Sequence, residues 1–174
     1  LSDTMAKCRI GTAKFFTLLL LLYRTSANGL GIQQMDCPET LYLGIQRWWY
    51  TKNLYDCRGF RDHCRELAER SVTYMEEYAR EGYKVVAVLS CDGSPTCGVT
   101  ITSYDKNWGG SPVELSYNDA IVQGKGVYIE ELEKAIQARG LEVPPFYGLA
   151  LDDESVDLPK IISDFRDFIQ SVCQ

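Results

Sequence analysis

The chain is poor in histidine: His63 is the only one among 174 residues. That argues against a histidine-built zinc site and against Ser–His or Cys–His catalysis, each of which needs imidazole as ligand or base. No Cys-x-x-Cys occurs, so neither a zinc ribbon nor a thioredoxin-type redox pair is supported. Gly-x-Ser-x-Gly and the P-loop pattern are missing as well, and the loop from Cys91 to Cys97 has cysteine where a cysteine phosphatase would carry the arginine that grips phosphate. Positive charge is not in excess. Eighteen basic against twenty-four acidic residues leave a net charge of −6, which opposes unspecific attraction to phosphate backbones, so no nucleic-acid partner is expected. Long hydrophobic runs are also lacking. The stretch from Phe15 to Leu22 offers about eight apolar residues where a membrane helix needs roughly twenty, so no membrane span is expected.

What is present is enough for one well-buried core: 174 residues, 45% of them hydrophobic, are too few for two ordinary domains and predict a single domain over 1–174. Seven cysteines, Cys8, Cys37, Cys57, Cys64, Cys91, Cys97 and Cys173, are an odd number in a chain large enough to fold without staples, which speaks against a disulfide framework. An acidic chain with several free thiols fits a reducing compartment, and the expected location is cytoplasmic. One segment argues otherwise. Lys7, Arg9 and Lys14 precede the apolar run and Thr25 to Asn28 follow it, imitating a secretory signal peptide. The preferred reading is a buried helix from about Gly11 to Tyr23. The opening at Leu1 rather than methionine is compatible with residues upstream.

Strand-like and helix-like stretches alternate, predicting an α/β fold: a Rossmann-like domain with a mostly parallel sheet and helices on both faces. Leu30 to Met35 reads as a short strand, and Pro38 is placed to open a helix just after it, with Cys37 at the turn. The clearest helix is about Cys57 to Arg80, where Phe60, Cys64, Leu67, Ser71, Met75 and Tyr78 recur at intervals of three and four and Gly82 follows as a stop. Tyr83 to Leu89 suits a strand buried on both faces. It runs into Ser90-Cys91-Asp92-Gly93-Ser94-Pro95-Thr96-Cys97-Gly98, whose glycines and proline predict a tight loop. Tyr104 to Gly126 lacks clear periodicity and reads as a lid or a disordered segment. Val127 to Arg139 reads as a helix stopped by Gly140, Pro144 to Leu151 as a strand, and Leu158 to Val172 as a helix with the stripe Ile161, Ile162, Phe165, Phe168 and Ile169.

The chemistry that remains is that of cysteine at strand ends. Loops beyond the carboxyl ends of parallel strands converge where ligands usually bind. Cys37 and Cys97 fall there, and Cys8 joins them if a strand precedes it. Three thiolates from three loops can hold three irons of a 4Fe-4S cubane, leaving the fourth iron open as a Lewis acid for a soft ligand such as a substrate sulfur. The plainer reading is that a free cysteine is often only a small buried hydrophobe, and it is preferred for Cys57, Cys64 and Cys173. Cys91 could be a spare ligand, a sulfur acceptor or loop filler. His63, on a charged helix face, is given no role.

Cys37-Pro38-Glu39 and Gly93-Ser94-Pro95-Thr96-Cys97-Gly98 together resemble the paired signatures of the thiouracil desulfidase family. The surrounding text, Gly31-Ile32-Gln33, Tyr42, Gly44, Arg47, Thr51-Lys52 and Phe60-Arg61, is similar to uncharacterised relatives of that family, and the resemblance runs from about Leu30 to Leu151. It implies a Rossmann-like domain and a 4Fe-4S cluster on Cys8, Cys37 and Cys97. Cys8-Arg9-Ile10-Gly11 matches the outline of the first cluster motif, although the residues before it are unlike the usual strand. The implied reaction is hydrolytic removal of sulfide from a small thiolated compound, the open iron taking the sulfur while water attacks carbon, without net redox change. Ser94 resembles a position lining the family's site. The family's acid–base glutamate lies three residues before the second cluster cysteine, and here that residue is Gln34. Glutamine cannot accept a proton at useful pH, so the candidates to replace it are Asp36 and Glu39, each of which could instead simply favour the amino end of the helix after Pro38. Trp108 and Tyr117 could stack on a flat heterocycle. The alternative from a different class is a non-catalytic sulfur or iron–sulfur cluster carrier. A secreted protein that loses its first 28 residues, and Cys8 with them, is a third.

Overall fold

The structure is a computed structural model that describes residues 20–23, 25–47, 50–107, 120–150 and 157–173. The chain divides into two compact units, residues 36–150 and residues 1–35 with 151–174. Cys8, most of the predicted first helix, Trp108 and Tyr117 lie outside the described residues.

The larger unit opens with a short helix α1, Pro38–Leu43, and a single turn α2, Lys52–Tyr55. Helix α3, Arg58–Arg80, follows, as its three-and-four spacing predicted. Phe60, Cys64, Leu67, Ala68 and Val72 are buried, while Ser71, Met75 and Tyr78 are half-exposed, so the packed stripe fades toward its end. Gly82 closes it: its N–H donates to Ala79 and that of Tyr83 to Tyr78, the paired bonds of a left-handed helix stop. Strand β1, Val88–Ser90, pairs in parallel with β4, Phe146–Gly148, across a crossover that contains helix α4, Val127–Ala138. A separate antiparallel pair joins β2, Ile101–Ser103, to β3, Ile121–Gln123. Helix α4 packs on α3 through Val127, Tyr128, Ile129, Leu132, Ala135 and Ile136, all buried, and this interface is the core of the unit.

The architecture is therefore mixed α/β with a small parallel pair, and several expected elements differ. The strand expected over Tyr83 to Leu89 starts only at Val88, because its partner is preceded by Pro144 and Pro145, which have no N–H to give a ladder; Pro145 contributes only its carbonyl, accepting from Val88 N–H at 3.0 Å. Residues 30–35 form no strand among the described residues, so Cys37 does not follow one. The segment expected as a lid contains β3, whose ladder with β2 overrides its weak periodicity. In the smaller unit residues 20–23 and 25–27 are helical, and helix α5, Leu158–Val172, matches its expectation, with Asp157 capping Lys160 N–H and Phe165 and Ile169 buried. Among the described residues no helix is long and apolar enough to cross a membrane.

Two buried carboxylates hold this frame. Glu131 on α4 is 3% exposed and receives Arg61 of α3 at 2.7 Å and Lys134 at 2.9 Å. Burial alone would raise its pKa, but the hydrogen bonds and charges of Lys134 and Arg61 outweigh it and hold the carboxyl below the ordinary range. Asp92, after β1, accepts the Val99 and Thr100 N–H groups at 2.7 and 2.9 Å and the Thr100 hydroxyl. A Cβ at Gly148 would stand 2.2 Å from its carboxyl carbon.

Two outcomes follow. Gly148→Ala should lose about 2–3 kcal/mol in urea unfolding, because the methyl group displaces Asp92 from its donors. Since Glu131 is depressed in the folded state, its contribution is present above the ordinary glutamate pKa of about 4.5 and lost as pH falls through the lower folded value. Glu131→Gln should flatten the acid limb of stability against pH, and an unchanged limb would refute this role.

Candidate metal centre

Cys37 reaches its position through the local sequence. Pro38 pre-sets the first turn of α1, and the Cys37 sulfur stands where a serine or aspartate oxygen usually caps a helix, accepting the Thr40 N–H at 3.5 Å. It is half-buried.

Cys97 sits on a loop that is hydrogen-bonded almost throughout. The Ser94 hydroxyl accepts the Thr96 and Cys97 N–H groups at 3.3 and 3.0 Å, the Gly98 N–H donates to Ser94 at 3.1 Å, and the Ser90 hydroxyl donates to the Cys97 carbonyl at 2.6 Å. The carbonyl of Pro95 then accepts the Val127 N–H at 3.1 Å, and that of Thr96 accepts Tyr128 at 2.9 Å and Ile129 at 3.3 Å, so the loop caps α4. Gly126 is required at this junction, since a Cβ there would lie 2.3 Å from the Thr96 carbonyl carbon.

Glu39, two residues after Cys37, links that segment to the Cys97 loop. Its Oε1 accepts the Thr96 hydroxyl at 2.7 Å, and its Oε2 accepts Arg47 Nε at 3.0 Å and the Tyr55 hydroxyl at 3.1 Å. Arg47 also donates to the Thr40 hydroxyl at 2.9 Å. The Thr96 hydroxyl lies 3.4 Å from the Cys97 sulfur. Cys97 is thereby pushed up to about 12: burial is the main cause, the Thr96 hydroxyl works against it, and the negative charges of Glu39 and of a Cys37 thiolate add to it. Burial and then Glu39 push Tyr55 up as well.

The segments of Cys37 and Cys97 are bonded to each other through Glu39 and Thr96. Among the described residues no group of three histidines, cysteines or acids is close enough to hold a metal ion. The donor chemistry fits iron–sulfur ligation: two soft, half-buried thiols come from separate segments, and a cation beside them would offset the burial that keeps Cys97 protonated. Asp36 is exposed and pairs with Arg70 at 3.6 Å, and Gln34 is exposed in the smaller unit. Cys91 is half-buried. Cys64 is buried, as the plainer reading has it, whereas Cys57 and Cys173 are exposed: each stands at a cap position of its helix, off the packed stripe. His63 is wedged between Tyr42 and Phe60, with Nε2 3.1 Å from the Pro38 carbonyl. Thr96 and Tyr55 were not singled out from sequence. The useful signal was the threonine directly preceding Cys97.

The chain is similar to an uncharacterized protein of Methanocaldococcus jannaschii, MJ0003, being 26% identical over 145 residues, or 83% of this chain and 72% of that protein. No protein-family model and no solved structure matches. The relative's name states no activity.

Alkylation of the metal-free, reduced protein near pH 8 should consume the exposed Cys57 and Cys173 well before Cys97, whose thiolate fraction there is on the order of one in ten thousand. Peptide mapping would read the order. Rapid labelling of Cys97 near neutral pH would contradict its environment.

Proposed function

We propose that the chain is an iron–sulfur-dependent desulfidase that removes sulfide from a small thiolated compound, a thiouracil-like heterocycle, by hydrolysis. The observation that supports it most is the hydrogen bond from Thr96 to Glu39, which joins the Cys97 segment to the Cys37 segment, the two that carry the signatures resembling that family. The proposed protein is cytoplasmic, with a Rossmann-like domain whose sheet is covered on both faces and with no membrane or nucleic-acid partner. Cys37, Cys97 and Cys8 would hold the 4Fe-4S cluster, which supplies a Lewis acid with affinity for sulfur.

The chain's own groups account for the rest. In the overall change a carbon–sulfur bond breaks, a carbon–oxygen bond from water forms, sulfur leaves as sulfide, and no electrons are gained or lost. Asp36 and Glu39, which flank Cys37, are the two candidates to accept the proton from water, because the Gln34 amide can only orient by hydrogen bonding. The Ser94 oxygen accepts two backbone N–H groups, and its proton is directed to the Thr96 hydroxyl oxygen at 3.3 Å because the Thr96 proton goes to Glu39, so Ser94 is held in one direction as a lining residue.

A second reading, a non-catalytic sulfur or cluster carrier, is favoured by one observation: both oxygens of Glu39 already accept hydrogen bonds. Anaerobic reconstitution with iron and sulfide separates the possibilities. About four irons per chain, lost or diminished in Cys8→Ala, Cys37→Ala and Cys97→Ala, are expected, with repeated release of sulfide from thiolated pyrimidines. Sulfide taken up once and never turned over points to the carrier, and a chain that retains no iron overturns the desulfidase reading and leaves the sulfur carrier and the secreted protein.

A further inference from the structure

We propose that Glu39 is a positioning residue, the strut that sets the spacing between Cys37 and Cys97. As a role within the site it rests on the desulfidase reading, although the geometry behind it does not. Glu39 is two residues from Cys37 and Thr96 is next to Cys97. The bond between them, Thr96 Oγ1 to Glu39 Oε1 at 2.7 Å, ties the segment of one cysteine to that of the other. Thr96 is fully buried, and its backbone carbonyl is held by α4, so the loop end of the strut does not swing. The other end is fixed too. Arg47 and Tyr55 converge on Oε2, with the Arg47 and Glu39 side chains 11% and 14% exposed and Tyr55 3% exposed.

A carboxylate held by three donors from three places serves poorly as a proton carrier: taking a proton on either oxygen breaks a charge-assisted bond to a donor that is itself buried. Its chemistry suits geometry instead. Carboxylate oxygens accept from several directions at once, and short bonds to fixed donors leave little rotational freedom. The acid–base duty next to Cys37 then passes to Asp36, whose carboxylate is exposed and pairs with Arg70 at 3.6 Å.

The test uses the full-length, reduced, metal-free chain and dibromobimane, a short reagent that bridges two neighbouring thiols. Mass spectrometry of the digested protein gives the ratio of Cys37–Cys97 bridged peptide to singly labelled Cys37 peptide, with bridges from Cys97 to Cys64 or Cys91 scored separately as competing products. Wild type should give the bridge. Glu39→Gln and Thr96→Val should each lower the ratio about tenfold, Thr96→Ser should restore it, and the double variant should be no worse than either single. The direction is diagnostic. Loss of the Glu39 charge by itself would make the Cys97 thiol more reactive, so a fall in Glu39→Gln reports position. If Glu39→Gln does not fold by circular dichroism, Glu39→Asp, which keeps the charge and shortens the arm, takes its place and should also lower the ratio, because Thr96→Val by itself removes the hydroxyl beside the Cys97 sulfur as well. A wild type that gives no bridge, an unchanged ratio in the folded variants, or a Thr96→Ser as low as Thr96→Val would each overturn the proposal. Iron content of the same proteins after reconstitution keeps the two ideas apart: a wild type without iron whose bridging still depends on Glu39 would sink the desulfidase reading and leave the strut.

Discussion

The carbonyls of Pro95 and Thr96 accept the first N–H groups of the helix over Val127 to Ala138, and the larger unit is arranged around that junction. A helix start leaves its first N–H groups without partners inside the helix, and burying them unmatched would be costly. Here the partners are supplied by the loop that presents Cys97. Loop and helix are therefore one object: the helix packs on the Arg58–Arg80 helix and buries the core, and the same contacts fix the cysteine. Gly126 and Gly148 mark where backbone and carboxylate come too close for any side chain.

The second constraint is charge kept out of water. Asp92, Glu131 and Glu39 are each surrounded by donors; Asp92 closes its own loop, while Glu131 and Glu39 join segments far apart in sequence. Such groups add little net stability compared with an apolar replacement, yet removing one partner is expensive, so they select one arrangement among many compact ones. In the case of Glu39 the segments so joined are those of Cys37 and Cys97.

Helices carried their own signature in the sequence. The Arg58–Arg80 and Leu158–Val172 helices have apolar periodicity, caps and stops, all local features. Strands did not: whether Tyr83 to Leu89 pairs along its length depends on two prolines nearly sixty residues away, and the strand at Ile121–Gln123 exists because of a partner rather than a pattern. The turns that carry Cys37 and Cys97 were legible because proline and glycine around them announce a break in regular structure. The Glu39 cluster was not, since Arg47, Tyr55 and Thr96 are unremarkable until folding brings them together.

The ion pairs joining Arg61 and Lys52 to Glu130, and Arg61 and Lys134 to Glu131, form a connected network rather than isolated contacts. The cost of dehydrating charges falls as temperature rises, so a network of this kind holds relatively better when warm. The junction behind the Cys97 loop is thus the part of the unit best suited to heat, and the exposed far end of the Arg58–Arg80 helix is where thermal fraying would begin.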